Sequence, residues 1–401
     1  MKVLYIATAY PRSETDVITP WLVATIRRLQ EQGINITMFT SAYKGLGDQV
    51  IFGTPVKRFR YCFRRWEDLT HDETAIDRVR KGLRNKLLAV CYLVAGTWAI
   101  WRLCQRERFD IIHVHWPLPH FLFGYFAARA CRAPTVITFH GAELMAVRHG
   151  MKPLRPFLRW AVAQADAITA NSTHTVRAIQ ELVNRPVHII PYGAEVSELP
   201  ALGTTTSGPE KHILFVGRLV ERKGVRYLIE AAQLLAQQLP IKVDIVGSGP
   251  EGPALRELTN RLGLTDTVIF HGQVPAQELH RHYARCDVFV LPAVIDSKGD
   301  TEGLGVVIIE ALNYRKPVVA SAVGGITDLV QNERTGLAVP PQDSPALAQA
   351  LHRILTDPAL ARRLAEAGYQ HIQAHYSWPA IIQRLTDIYT TLLQQPAQSK
   401  R

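Results

Sequence analysis

The sequence predicts an α/β protein built from two parallel-sheet domains of similar size. Three observations carry this. Short apolar runs alternate with amphipathic stretches along the chain. The alternation stops at a small-residue, Pro- and Gly-bearing stretch near the middle and then restarts. The length, 401 residues, suits two domains of about 150–200 residues each. Strand, helix, strand at this spacing calls for crossover connections, and hence for parallel strands.

In the first half, residues 2–8 read as a strand. Residues 21–32 carry apolar side chains at helical spacing and meet Gly33, a helix stop. Strands follow at 34–39, 110–115, 135–139, 167–171 and 187–190, with a helix near 121–130. From Ala194 to Glu210 the periodicity disappears, which places a linker at 196–210 between a domain at 1–195 and a domain at 211–377. In the second domain, strands are read at 213–216, 242–246, 268–270, 288–291 and 317–320. Helices are read at 225–238, 253–262, 276–285, 304–313 and 345–356, and an apolar-striped helix at 378–395. Ligands of such sheets sit at the carboxyl ends of the strands.

Composition is that of a globular chain, 47% apolar and 20% charged. Five scattered cysteines without a Cys-x-x-Cys pair read as thiols in a reducing compartment. The apolar start is broken at Pro11-Arg12-Ser13-Glu14, too early for a signal peptide. The longest uncharged apolar run, 87–101, has 15 residues, short of the roughly 20 of a membrane span. These features predict a soluble or peripheral protein working in the cytoplasm, at most on the inner face of the membrane.

The net charge of +11 is concentrated in the first 195 residues, with 26 Lys+Arg against 15 Asp+Glu. Residues 57–108 hold 13 basic and 6 acidic residues, interleaved with Tyr61, Phe63, Trp66, Trp98 and Trp101. A solvated basic helix pair accounts for this. So does attraction to an anionic membrane surface or an anionic, lipid-linked acceptor. No nucleic-acid recognition motif accompanies the charge, so nucleic acid is not an expected partner.

The chemistry-bearing segments lie at predicted strand ends. Residues 300–310 read D-T-E-G-L-G-V-V-I-I-E. Gly303, Leu304 and Gly305 form a loop before a helix whose N-terminus points N–H groups at an anion. Glu302 can accept hydrogen bonds from hydroxyls. Glu310, with apolar sequence neighbours, needs a partner, and a ribose diol supplies two O–H donors. A cap and a solvated helix charge is the bland alternative. In F-V-G-R-L-V-E-R-K-G, Gly217 ends a strand, and Arg218 and Lys223 follow on a loop, a planar fork and a point charge that suit a diphosphate. Gly247 and Gly249 lie in a further strand-to-turn segment, I-V-G-S-G-P. His271 and Gly272 end a strand whose backbone can read a base edge. In the first half, His140 ends a strand in T-F-H-G-A-E, and His113 and His115 end another.

Together these segments resemble the family 4 glycosyltransferases of the GT-B fold. The resemblance rests on Gly217-Arg218 with Lys223-Gly224, on Gly247-Ser248-Gly249-Pro250, on the segment 286–292, on Glu302 and Glu310 with seven residues between them, and on Lys316-Pro317-Val318-Val319-Ala320-Ser321 with Gly324-Gly325. It is dense over 213–340 and looser through the first 193 residues. It implies two Rossmann-like domains facing across a cleft, with the helix at 378–401 joining the first. It implies retaining transfer of a hexose-type sugar from a UDP- or GDP-sugar, with no cofactor and no obligatory metal, in keeping with the lack of Asp-x-Asp. A polysaccharide or lipid-linked precursor is the acceptor to expect. Arg218 and Lys223 would hold the diphosphate, Glu310 the ribose, and Glu302 with Gly303–Gly305 the sugar. His140 would contact sugar and phosphate as the cleft closes, and Glu14, His113 and His115 would lie on the acceptor side.

The sequence also departs from the family pattern. Tyr10-Pro11-Arg12-Ser13-Glu14-Thr15 replaces a Gly-Gly loop, Pro191-Tyr192-Gly193-Ala194-Glu195 replaces Pro-Asn-Gly-Val-Asp, and Ala293 replaces a serine. An epimerase or phosphorylase of the same fold, or a non-catalytic sugar-nucleotide binder, shares most of these features. A dinucleotide oxidoreductase is excluded by the missing Gly-x-Gly-x-x-Gly after the first strand.

Overall fold

The computed structural model describes residues 1–16, 18–71, 78–79, 82–194 and 210–394. The expected linker lies outside these, apart from Glu210. Two compact units are present, Met1–Gly193 with Ile381–Arg401, and Ala194–Ala380.

The first unit carries β1 (Lys2–Ile6), α1 (Pro20–Glu31), β2 (Asn35–Ser41), β3 (Gln49–Ile51), β4 (Thr54–Phe59), α2 (Leu83–Arg106), β5 (Ile111–His115), α3 (Pro117–Cys131), β6 (Thr135–Phe139), α4 (Ala142–His149), α5 (Arg155–Gln164), β7 (Ala167–Ala170), α6 (Thr173–Gln180) and β8 (His188–Ile189). Its sheet runs β3-β4-β2-β1-β5-β6-β7-β8 and is parallel except for β3, which pairs antiparallel with β4. Val3, Leu4, Tyr5 and Ile6 of β1 are all buried, because helices cover both faces of a parallel sheet. Periodicity does not reveal β3 and β4: β3 has only three residues, and the short run of β4 is interrupted by Lys57 and Arg58. Buried Arg58 donates to the carbonyls of Tyr10, Pro11 and Ser41, so it pins the loop that follows β1.

The apolar run at 87–101 is the middle of a longer helix. α2 has 24 residues, since the charged residues at both ends continue the helix. By length and composition, it is long and apolar enough to cross a membrane, contrary to the expectation from the uncharged run alone. Its inward residues Leu88, Tyr92, Gly96, Ile100 and Cys104 are nevertheless buried in the unit. At Gly96 a Cβ would lie 2.4 Å from the Phe123 ring of α3, so only glycine permits this close packing.

The second unit carries β9 (Lys211–Val216), α7 (Val225–Ala236), β10 (Ile241–Val246), α8 (Gly252–Arg261), β11 (Val268–Gly272), α9 (Ala276–Arg285), β12 (Val288–Leu291), α10 (Val306–Asn313), β13 (Val318–Ser321), α11 (Ile326–Leu329), β14 (Leu337–Val339), α12 (Ser344–Thr356) and α13 (Pro358–Tyr376). The last helix, α14 (Trp378–Gln394), belongs to the first unit from Ile381 onward. The sheet order β11-β10-β9-β12-β13-β14 is parallel throughout. From β9 the chain builds outward through β10 and β11, then returns to the other side of β9 with β12. The order reverses between β9 and β12, which opens a crevice at their carboxyl ends.

Candidate functional site

The loops after β9 and β12 meet at that reversal. Val294 N–H donates to the Arg222 carbonyl at 2.9 Å, and Ser297 donates from both N–H and hydroxyl to Glu221, at 2.9 and 2.7 Å. The loop after β10 closes on the other flank. There Gly217 N–H reaches the Val246 carbonyl at 2.9 Å and Leu219 N–H the Ser248 carbonyl at 3.0 Å. Gly247 has φ +133°, and a Cβ there would stand 1.9 Å from the Gly217 carbonyl oxygen. The glycine motifs are thus the packing surfaces of the loops.

Within this frame Lys223 and Glu302 form an ion pair, with side chains only 11% and 14% exposed. The Glu302 carbonyl accepts from Gly325 N–H at 3.0 Å, so the Gly324-Gly325 turn holds the acidic loop in place. Arg218 is exposed, and its guanidinium has no hydrogen bond or ion pair among the described residues. Leu304 is buried, which leaves backbone as what the Gly303–Gly305 loop can offer. Gly305 caps α10, whose first N–H groups lack intrahelical acceptors.

Glu310 sits in α10, partly exposed. Its Oε2 accepts from the Tyr283 hydroxyl of α9 at 2.6 Å. Burial raises the carboxyl above its ordinary value, and the Tyr283 hydrogen bond opposes that shift. Tyr283 stacks on Tyr314, with ring centroids 5.3 Å apart. Among the described residues Oε1 has no donor, so one oxygen is fixed and the other is open. Sequence reasoning missed Tyr283, since nothing in the local pattern marks its partner.

His271 does not join this group through its ring. Nε2 lies 2.7 Å from Asp244 Oδ1, and Asp244 Oδ2 lies 3.3 Å from His212 Nδ1. Asp244, His271 and His282 bring ligand atoms within 4.8 Å of one another, a set able to take a cation, although here Asp244 is shared by two histidines. The Gly272 carbonyl accepts from Gly247 N–H at 2.7 Å, which ties the end of β11 to the loop after β10.

The first unit holds a second cluster, at the ends of β5 and β6. His115 Nδ1 lies 3.0 Å from His140 Nε2, and His140 Nδ1 lies 3.0 Å from the Tyr192 hydroxyl. One proton per ring serves these two contacts, while His115 Nε2 is buried without a partner among the described residues. Trp21, Trp116 and Tyr192 surround the His140 ring, with centroids at 4.7, 4.4 and 5.9 Å. Burial, with smaller contributions from neighbouring histidines, holds His113 and His140 well below the ordinary value. Burial alone takes His115 down to about 3. These rings are neutral at physiological pH. Glu143 accepts from His140 N–H at 2.9 Å, and burial pushes its carboxyl up to about 7.

His113 and His115, expected on the acceptor side, are 1% and 4% exposed, so their side chains belong to the interior of the unit. His113 instead ties Tyr389 of α14, at 2.6 Å, to Thr138, at 2.6 Å. Glu14 is exposed on the loop after β1, where it accepts from Phe52 N–H at 3.4 Å. Trp21, Trp116, Tyr192 and Glu143 escaped the sequence reading. The one available signal was Tyr192, which stands at a departure from the family pattern.

Two parallel α/β units, each with polar groups gathered at its strand ends, have the architecture of the GT-B fold. Residues 204–371 match the family model "Glycosyl transferases group 1", and residues 21–198 match "Glycosyltransferase Family 4". The chain belongs to the family 4 glycosyltransferases. It is 31% identical over 283 residues to the GDP-mannose-dependent alpha-(1-6)-phosphatidylinositol monomannoside mannosyltransferase of Mycolicibacterium smegmatis, covering 67% of this chain and 73% of that one. It is 27% identical over 298 residues to the O-antigen chain mannosyltransferase C of Escherichia coli, covering 72% and 77%. Among solved structures, Anabaena HepE in complex with UDP superposes with TM-score 0.72 at 19% identity, covering 98% of this chain and 100% of that one. Sucrose-phosphate synthase from Thermosynechococcus elongatus superposes with TM-score 0.70 at 23% identity, covering 98% of each.

Proposed function

We propose that this glycosyltransferase moves a hexose-type sugar, with retention and without an obligatory metal, from a UDP- or GDP-sugar to a lipid-linked or polysaccharide precursor. The observation that carries the donor site is the grouping at the β9/β12 reversal of an unpaired cation, Arg218, a cation–carboxylate pair, Lys223 and Glu302, and a half-engaged carboxylate, Glu310. A nucleotide sugar offers each of these its complement. The diphosphate takes Arg218, Lys223 and the N–H groups at the start of α10. The ribose diol takes Glu310 Oε1. The sugar hydroxyls take Glu302, which leaves Lys223 for the phosphate.

When the sugar–phosphate bond breaks, negative charge gathers on the leaving phosphate. Cations and N–H groups already in place stabilise that charge without reorganising. As the acceptor oxygen bonds to the sugar, the leaving phosphate oxygen takes the acceptor's proton, so the step asks for no nucleophile from the protein. In the first unit we assign His140 a hydrogen-bonding role toward the transferred sugar, taken up when its ring exchanges the Tyr192 hydroxyl for a sugar hydroxyl; a neutral imidazole does this as a dipole and not as a cation. Relatives support the choice of donor and acceptor. One solved relative is a complex with UDP, one curated relative is named as GDP-mannose-dependent and acts on a phosphatidylinositol mannoside, and another builds O-antigen. Nucleotide-sugar chemistry and scattered free thiols agree with a cytoplasmic site of action.

The test is a thermal-shift screen with UDP- and GDP-sugars, followed by product analysis. The true donor stabilises the protein in proportion to log concentration over affinity. Failure of every nucleotide sugar to shift the melting curve would refute the donor-site reading.

A further inference from the structure

Helix α2 presents an apolar face that the described residues of the unit leave exposed. Leu83, Leu87, Val90, Val94, Trp98 and Trp101 are between 49% and 83% exposed. At 100° per residue they fall within about 80° of the helix circumference, and they extend along roughly 27 Å of it. Arg84 and Arg102 flank the stripe on one side and Lys86 on the other, all exposed. Arg102 lies over the Trp98 ring at 5.2 Å. At the other end Arg65 and Arg84 lie over the Trp66 ring at 5.2 and 5.1 Å, and Trp66 is edge-on to Phe63, itself 69% exposed. Where the stripe ends at Trp101, a hollow of about 610 Å³ opens, lined by Trp101, Phe126, Arg108, Arg129 and Arg132 among others, with no acidic side chain. Arg129 is held over the Tyr125 ring at 4.5 Å, and Arg108 donates to the Ala130 carbonyl.

We propose that this face seats the first unit on an anionic lipid bilayer, with α2 lying in the plane of the interface and the arginine-lined hollow taking a lipid phosphate. α2 does not span, because its opposite face is part of the unit's core. A helix with one face held in protein and the other apolar and rimmed by cations has the form of an interfacial helix. Aromatic rings stacked under guanidinium groups suit the headgroup boundary, where one part is apolar and the other charged. Three guanidinium groups around one hollow match phosphate oxygens. A second copy of the chain is a poor occupant, since a two-fold contact on this face would set its cations against each other. Nucleic acid would leave the apolar stripe without a partner. The inference does not depend on the donor site.

The test uses the full chain with vesicles of phosphatidylcholine alone, and of phosphatidylcholine with about a third phosphatidylglycerol, at low and high salt. The expected result is co-sedimentation with the anionic vesicles at low salt, with tryptophan emission quenched by bromine-labelled acyl chains. Val94→Glu/Trp98→Glu abolishes binding, and Arg108→Ala/Arg129→Ala/Arg132→Ala weakens it about tenfold or more and removes the preference for anionic lipid. Nucleotide-induced thermal shifts that persist in both variants show that they fold, and separate this result from the donor reading. No binding at low salt, or binding unchanged in both variants, overturns the proposal. So does a dimer dissolved by Val94→Glu/Trp98→Glu without vesicle binding. Release from vesicles by millimolar inorganic phosphate that neutral salt of equal ionic strength does not cause would mark the hollow as a soluble-anion site and overturn the lipid assignment.

Discussion

Replacing Glu310 with Gln changes one charge and almost no shape. The Tyr283 hydroxyl, 2.6 Å from Oε2, keeps an oxygen acceptor in the variant, so the side chain stays oriented. A hydrogen bond to a charged acceptor contributes about 1.5–3 kcal/mol, and a neutral one about 0.5–1.5. Loss of the charge should therefore cost nucleotide binding about 1–1.5 kcal/mol, which is about 5–15-fold in Kd. Stability should move the other way. Burial raises the Glu310 carboxyl above its ordinary value. A carboxyl of that kind contributes stability below its unfolded value, and that contribution is lost as pH rises through the folded one. Glutamine does not titrate, so the melting temperature of Glu310→Gln minus that of the wild type should increase as pH rises from about 4 to 7. Calorimetric titration with the UDP- or GDP-nucleotide, and melting curves across pH, supply both readouts. Unchanged nucleotide affinity would refute the ribose assignment. A fall in both affinity and stability at neutral pH would show that Glu310 serves the Tyr283 contact and not a ligand.

Arg218→Ala should lower turnover by about 10²–10³ with the melting temperature unchanged, because the guanidinium is exposed and holds no other side chain; steady-state kinetics beside a melting curve checks this. Lys223→Ala should also lower turnover, but it leaves Glu302 unpaired in a place only 14% exposed. A cost of about 2 kcal/mol is expected, between that of exposed and fully buried pairs, and Lys223→Ala/Glu302→Gln should recover stability without activity in chemical denaturation and kinetics. Gly247→Ala places a methyl group 1.9 Å from the Gly217 carbonyl oxygen at φ +133°, so denaturant titration should show a loss of about 3 kcal/mol. In the first unit, His113, His115 and His140 are held neutral below their ordinary range. The unfolded chain takes up protons first, so stability should fall as pH drops below about 6.5, and activity should show no imidazole titration between about pH 6 and 8. Melting curves and pH–rate profiles test the two statements.

The sequence by itself determined the two sheets and most of their strands, because a parallel strand buried on both faces must be a continuous apolar run. Residues 135–139, 276–285 and 288–291 were placed with the bounds of β6, α9 and β12. The loops rich in glycine and charge at the strand ends were legible for the same reason: they break those runs. Tertiary structure alone decided the partners. Lys223 meets Glu302 across 79 residues, His140 meets Tyr192 across 52, and His113 meets Tyr389 across 276. Such pairs follow from strand order, which local periodicity does not encode. Burial was decided in the same way. His113 lies inside β5 and His140 just past the end of β6; the first is core, held against Tyr389 of α14, and the second is only partly buried. The two faces of α2 are equally apolar in sequence, and only packing against α3 shows which one is left to meet something else.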